Sequence, residues 1–332
     1  MDRNTEVQWS MGSTTVYGTM VKPAGSGPFP AVVMAAGSGP TDRDWNSPLL
    51  PGHNGSARLL AEALADAGIT SLRYDKRASG PHAMDNMRVL AGSLSMQSHR
   101  EEFAGAVHLL ASMPDIRVGE IFGLGNSEGT LHVLNYQLEN PTVPLAGIIL
   151  AAPPGRSVGA VARSQLAAEA AAVPNGDALL TLYDEAIKRF EVGQAAEPDP
   201  APALPDRVKN LIAALESPAN LPFARELWAA DAAHLIADVA VPVLIIIGKK
   251  DIQVDWQADG ERLEAASRGK SNVTLTYPMN ANHVLKHEPR GRSTLNAVSV
   301  ASGYNAEDAA LDSETLEIVL KWLGMWTSTG HR

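Results

Sequence analysis

Apolar and polar positions alternate over Glu6–Ser10 and again over Thr14–Val21, on either side of Met11-Gly12-Ser13. That period of two predicts an antiparallel hairpin. A loop from Pro23 to Pro30 leads into Ala31-Val32-Val33-Met34-Ala35, a continuous apolar run suited to a strand covered on both faces. The period then changes. From Ser56 to Ala67, Leu59, Leu60, Ala63 and Leu64 fall at helical spacing, and the pattern stops at Gly68. A strand over Ile69–Tyr74, a helix over Gln97–Ala111 and a strand through Glu120-Ile121-Phe122-Gly123-Leu124 follow. Thr130–Leu138 reads as a helix, and Leu145–Leu150 as a strand ended by Pro153-Pro154. Later, Val243-Leu244-Ile245-Ile246-Ile247 and Val273–Tyr277 predict two strands with a helix between them, and Ser313–Leu323 predicts a final amphipathic helix. Strands alternating with helices after an opening hairpin predict an α/β fold: a mainly parallel sheet with helices on both faces.

The interval from about Arg156 to Ala230 breaks this rhythm. It is rich in alanine, carries several helical patterns and no convincing strand, and contains the run Pro198-Asp199-Pro200-Ala201-Pro202. Residues 156–230 are therefore expected to form a helical lid, or cap, inserted into a core domain of residues 1–155 and 231–332. A lid so placed lies over the carboxyl edge of the sheet.

Composition narrows the partners. The chain has 332 residues, 45 % of them hydrophobic, enough for a substantial core. A formal net charge of −10 argues against nucleic acid or an anionic membrane surface as partner. With no cysteine, disulfides, thiolate metal sites and a cysteine nucleophile are excluded. Met1-Asp2-Arg3-Asn4-Thr5-Glu6 is polar, unlike a signal peptide, and no apolar run nears the roughly 20 residues of a membrane span. The expectation is a cytoplasmic protein acting on a small molecule, with self-association into a homo-oligomer left open.

The candidate chemistry centres on Gly125-Asn126-Ser127-Glu128-Gly129. A strand, then G-x-S-x-G, then a helix is the setting of a nucleophile elbow, a turn sharp enough to lift the serine hydroxyl above the sheet. A serine hydroxyl needs a base, and the base an orienting acid. The elbow predicts the chain order Ser, Asp or Glu, His. Asp251 follows the strand Val243–Ile247, and His283 follows the strand Val273–Tyr277, so both fall at the sheet edge that carries Ser127. Asp255 reads as a helix N-cap, His287 lies deeper in a polar loop, and His108 and His132 lie inside helices. His53 and His82 lie in loops that could border the site, so neither is excluded from substrate contact. For the oxyanion, the expected backbone donors are the N–H groups of Glu128 and Ser38, the latter in the loop Ala36-Gly37-Ser38-Gly39-Pro40. Gly37, Gly39 and Trp45 are candidates for the substrate pocket, and Met84, Met87, Phe223 and Trp228 fit either a pocket wall or core packing. The chemistry calls for no metal and no organic cofactor.

Four blocks resemble the α/β-hydrolase superfamily, and within it the EstD-type bacterial serine carboxylesterases. They are Gly37-Ser38-Gly39-Pro40-Thr41-Asp42-Arg43-Asp44, Arg73-Tyr74-Asp75-Lys76-Arg77, the elbow Gly125–Gly129, and Gly248–Val254 paired with Asn282–Lys286. The resemblance implies Ser127 as nucleophile, Asp251 as acid and His283 as base, acting on carboxylic esters with short- to medium-chain acyl groups. A peptidase, lactonase or thioesterase would use the same three residues, and a non-catalytic binding protein of this fold is the remaining reading. Two positions depart from the pattern: Trp45 stands where these esterases commonly carry glycine, and Ala78-Ser79-Gly80-Pro81 replaces a glycine-rich continuation. Asp42, Arg43, Asp75 and Arg77 are expected to form one charged network beneath the oxyanion loop.

Overall fold

A computed structural model describes residues 3–194, 206–296, 303–306 and 308–328. The Pro198–Pro202 run lies outside them. Eight strands form one sheet in the order β1-β2-β4-β3-β5-β6-β7-β8: β1 (Asn4–Met11), β2 (Thr14–Val21), β3 (Phe29–Ala35), β4 (Thr70–Tyr74), β5 (Ile116–Asn126), β6 (Gly147–Ala151), β7 (Val243–Ile246) and β8 (Val273–Thr276). The hairpin β1–β2 is antiparallel, and β2 meets β4 antiparallel. All remaining pairs are parallel. From β3 the chain first moves outward to β4 and then returns to place β5 on the other side of β3. This reversal opens a crevice at the carboxyl ends of β3 and β5, where open α/β sheets place their ligands.

The alternation of side chains along each strand builds two cores. On β3, Ala31, Val33 and Ala35 face one hydrophobic cluster while Val32 and Met34 face the other. Along β5, Ile121 points to the first, and Phe122 and Leu124 to the second. Helices α3 (Met96–Ala111) and α4 (Glu128–Leu138) cover the first face through Phe103, Val107, Leu131 and Leu134. Helix α1 (Ser56–Asp66) and the last helix, α11 (Ser313–Trp326), cover the second through Leu60, Leu64, Trp322 and Leu323. Helix α10 (Ala258–Ala266) joins β7 to β8.

The elements predicted from the pattern are present, with edges shifted by a few residues. Helix α4 starts at Glu128 rather than Thr130, because the turn at Ser127 leads straight into it. Helix α2 (Ala83–Leu90) was not anticipated; only Asn86 and Leu90 are buried in it. Between β6 and β7 the described residues contain helices and no strand: α5 (Val158–Ala170), α6 (Gly176–Glu191), α7 (Asp206–Glu216), α8 (Phe223–Ala229) and α9 (Ala232–Ile236). Leu166, Tyr183, Phe190, Ile212 and Trp228 form a separate apolar cluster among these helices. Among the described residues no helix is long and apolar enough to cross a membrane.

Candidate active site

Ser127 sits between β5 and α4 with φ 52° and ψ −121°, on the left-handed side that non-glycine residues avoid. Such strain costs on the order of 1–3 kcal/mol and persists only where the surroundings impose it. Here they do. A Cβ on Gly125 would lie 2.4 Å from the Thr130 nitrogen, and one on Gly129 would lie 2.4 Å from the Ala35 carbonyl oxygen, so no side chain fits on either flank of the turn. The Ser127 N–H donates to the Ala151 carbonyl at the end of β6 (2.8 Å), and its own carbonyl accepts from the Thr130 N–H at 3.0 Å.

Asp251 lies five residues beyond β7 and is fully buried. Its Oδ1 accepts the N–H groups of Gln253 (2.7 Å) and Val254 (3.0 Å), and its Oδ2 stands 2.8 Å from His283 Nδ1. A carboxylate oriented by its own loop thus meets the imidazole with the remaining oxygen. With Nδ1 occupied, Nε2 is the ring nitrogen left for a reaction. Asn282 shapes the loop that carries His283, its Oδ1 accepting from Val284 N (3.1 Å) and Lys286 N (3.0 Å). The residue before the serine reaches across as well: Asn126 Nδ2 donates to the His283 carbonyl at 3.0 Å. Among the described residues no hydrogen bond joins Ser127 Oγ to His283, although both line the same cavity. Bonds of this kind are often long in unliganded enzymes and shorten on substrate binding.

The loop after β3 approaches the serine from the other side. A Cβ on Gly37 would lie 3.4 Å from that of Ser127, and the neighbouring Gly39 takes φ 76°. Thr41 Oγ1 donates to the Ser38 carbonyl at 2.7 Å and so ties that part of the loop to itself. Glu128 is the first residue of α4, so no intrahelical carbonyl serves its N–H. Further along the loop, Asp42 Oδ1 accepts from Asp44 N and Asn46 N, both at 2.9 Å, and bends the chain tightly enough to force Trp45 to φ 66°. Trp45 is buried and lines the cavity.

The charged groups divide differently from expectation. Arg43 binds Asp75 through Nε (3.1 Å), Nη2 (2.8 Å) and its backbone N–H (2.8 Å), but Arg77 instead joins Glu102 on α3 at 2.7 Å. Asp42 spends its carboxylate on its own turn. The single network expected from the four residues is therefore three separate devices, because Glu102, distant in sequence, supplies Arg77 with a buried partner. Glu102 also bonds His99 Nδ1 at 2.9 Å. Burial would raise the Glu102 carboxyl, but His99 and Arg77 overcome it and hold it at about 2.

Beneath the elbow, Lys76 Nζ donates to the Gly37 carbonyl (2.7 Å) and to Glu128 Oε1 (3.0 Å), and the same Oε1 lies 3.0 Å from His132 Nε2. Burial works against the Glu128 carboxylate, and Lys76 and His132 reverse that, keeping it well below the usual carboxylate range. Burial pushes His132 down, toward its neutral form. Sequence reasoning passed over Lys76, His99 and Asn126. Lys76 stood inside a recognised block, but nothing in a linear pattern pairs it with Glu128 across 52 positions.

The cavity above Ser127 has a volume of about 1070 Å³. Gly37, Ser38, Gly39, Trp45, Glu128 and His283 line its floor, and Val161, Leu211, Phe223 and Trp228 its roof. Met84 and Met87 are absent from the wall. Met84 is exposed, on the outer face of α2, where helical spacing alone could not distinguish lining from surface. His53 and His82 are not part of it either; His82 stacks on Tyr17 at 3.8 Å. His287 faces Asp312, and His108 reaches Thr142. Among the described residues no cluster of His, Asp or Glu is arranged to hold a metal ion.

Residues 50–290 match the family model described as serine aminopeptidase, S33. The chain belongs to that family. This S33 chain is also 28 % identical over 271 residues to esterase EstD of Thermotoga maritima, a match covering 81 % of the chain and 57 % of that relative, so it spans little more than half the relative's length. Among solved structures, proline iminopeptidase of Mycobacterium smegmatis superposes with a TM-score of 0.54 at 15 % identity, over 97 % of this chain and 98 % of that one. An esterase of Pyrococcus furiosus gives 0.54 at 16 % identity, over 97 % and 91 %. These likenesses, with the strand order, establish the α/β-hydrolase fold.

Proposed function

We propose that this S33 chain is a serine hydrolase that cleaves carboxylic esters with short- to medium-chain acyl groups. In this reading His283 takes the proton of Ser127 as Oγ attacks the ester carbonyl and gives it to the alcohol that departs when the ester C–O bond breaks, leaving the acyl group on Ser127; Asp251 holds the imidazole in the right tautomer and stabilises its charged form. The N–H groups of Ser38 and Glu128 bind the oxyanion, each donor contributing about 2.7–4 kcal/mol to the transition state. Water then releases the acyl group from Ser127 by the same route. The observation that carries the reading is His283, paired with the buried Asp251 at 2.8 Å, on the same cavity as a serine held at φ 52°.

The family's description raises an aminopeptidase as the second reading. Cleavage of an aminoacyl amide requires a group to hold the substrate's ammonium, and a free carboxylate is the natural one. Among the described residues that line the cavity the sole carboxylate is Glu128, which is already bonded to Lys76 and His132. That favours a neutral ester. Matched ester, thioester, lactone and aminoacyl amide substrates should be turned over fastest as the ester, and Ser127→Ala should reduce kcat on the order of 10⁶-fold with the fold intact. Undiminished turnover by Ser127→Ala would overturn the proposal, and a faster aminoacyl amide would replace ester by peptide chemistry.

A further inference from the structure

The N–H of Ser38 and the carbonyl of Gly37 belong to one peptide unit. In a trans peptide these two groups point in opposite directions, so whatever holds the carbonyl also aims the N–H. Lys76 Nζ holds that carbonyl at 2.7 Å. With its other contact, at 3.0 Å, the same ammonium holds the carboxylate of Glu128, the residue whose N–H is the second oxyanion donor in the proposed mechanism. Lys76 is 4 % exposed and Glu128 1 %. A buried ion pair is a weak source of stability, because removing both charges from water offsets most of their attraction. This one is not even fully bonded: Glu128 Oε2 and His132 Nδ1 are buried without partners. Stability alone does not explain why an ammonium is retained there.

Building on the triad reading, we propose that Lys76 is a positioning residue of the oxyanion hole: it clamps the Gly37–Ser38 peptide to the start of α4 and polarises it, so that both N–H donors face the reacting carbonyl. A cation on the carbonyl draws electron density from the peptide and leaves the Ser38 N–H a stronger donor, which matters most when the substrate oxygen becomes negative. The clamp thus acts on the transition state more than on the bound ester.

The test compares Lys76→Met and the double variant Lys76→Met/Glu128→Gln with the parent. The double variant removes the orphaned carboxylate and keeps the experiment informative if the single one does not fold. Readouts are kcat and KM for an activated short-chain ester and inhibition by a trifluoromethyl ketone, which forms an oxyanion on the serine. Both variants should lose kcat by about 10- to 100-fold, less than the roughly 10²- to 10³-fold of deleting a donor outright, with KM within about threefold. Affinity for the trifluoromethyl ketone should weaken by the same factor as kcat/KM. Folded variants with parental kcat and ketone affinity would overturn the proposal while Ser127→Ala still abolished turnover. An equal loss of affinity for ground-state and oxyanion ligands would overturn it too. Turnover that survived Ser127→Ala would instead remove the triad reading on which the clamp rests.

Discussion

The carboxyl edge of the sheet and the helices of residues 158–236 enclose one cavity with opposite chemistry. At the edge, Asp251, Glu128, Lys76 and Asp259 are buried and bonded in named directions. In the helices the interior is apolar, the Tyr183 hydroxyl and Trp228 indole N–H are buried without partners, and charge pairs such as Arg163–Asp184 lie outside. A hydrogen bond fixes an atom to within tenths of an ångström, whereas apolar contact fixes only a shape. The edge thus holds its polar groups in fixed directions and the helices offer an apolar wall, which is why we propose that residues 156–230 act as a cap that accepts a range of acyl chains.

Substitutions should separate the two regions. The largest effect after loss of the serine is expected for Asp251→Asn, which keeps the geometry but favours the wrong imidazole tautomer. It should lower kcat by roughly 10⁴-fold with little change in KM, read by steady-state kinetics.

Two arginine–aspartate pairs give the sharpest contrast in stability. Arg156 embraces the fully buried Asp259 through Nε (3.0 Å) and Nη2 (2.9 Å), where the chain leaves the edge for the helices. Arg163 pairs with Asp184 at 2.7 Å in the open. Arg156→Ala leaves a buried carboxylate unpaired and should cost up to about 3 kcal/mol in urea unfolding. Arg163→Ala should cost less than about 1 kcal/mol. Equal costs would erase the distinction between the regions.

Acid should weaken the edge first. Folding lowers the proton affinity of His132 from its ordinary 6.5 and of Glu102 from 4.5 to about 2, so the folded state binds fewer protons than the unfolded one. Stability therefore rises with pH. The His132 contribution, present above 6.5, is lost as the pH falls below that value, and the Glu102 contribution is lost between 4.5 and about 2. Urea midpoints across this window should fall steadily, and Glu102→Gln should flatten the acid limb; an unchanged limb would contradict the assignment. The smallest effect is expected in the roof. Leu211→Ala should raise KM for a medium-chain ester roughly fivefold, about 1 kcal/mol of lost apolar contact, and leave kcat for an acetate ester unaltered.

The same contrast governs what could be read from the sequence. Ser127, Asp251 and His283 were legible because each follows a strand whose apolar run is unmistakable, and the order of strands carries the residues to one edge. That Ser38 borders the cavity was legible from the glycines around it. Lys76–Glu128 and Arg77–Glu102 were not, since pairing across 52 and 25 positions depends on how α3 and α4 pack on the sheet. Trp45 was noted as a departure from a family pattern and as a pocket candidate, but not for its backbone. Its left-handed backbone follows from the Asp42 turn, a three-dimensional fact. Exposed Met84 and lining Phe223 look alike in sequence, because a wall between helices has no period of its own.

Whether Ser127 is an activated nucleophile can be read by mass spectrometry of the intact chain after reaction with a fluorophosphonate, followed by peptide mapping. One adduct per chain is expected, on Ser127, formed far more slowly in Asp251→Asn and absent in Ser127→Ala. An adduct on another residue, or no adduct on a folded chain, would contradict the proposal.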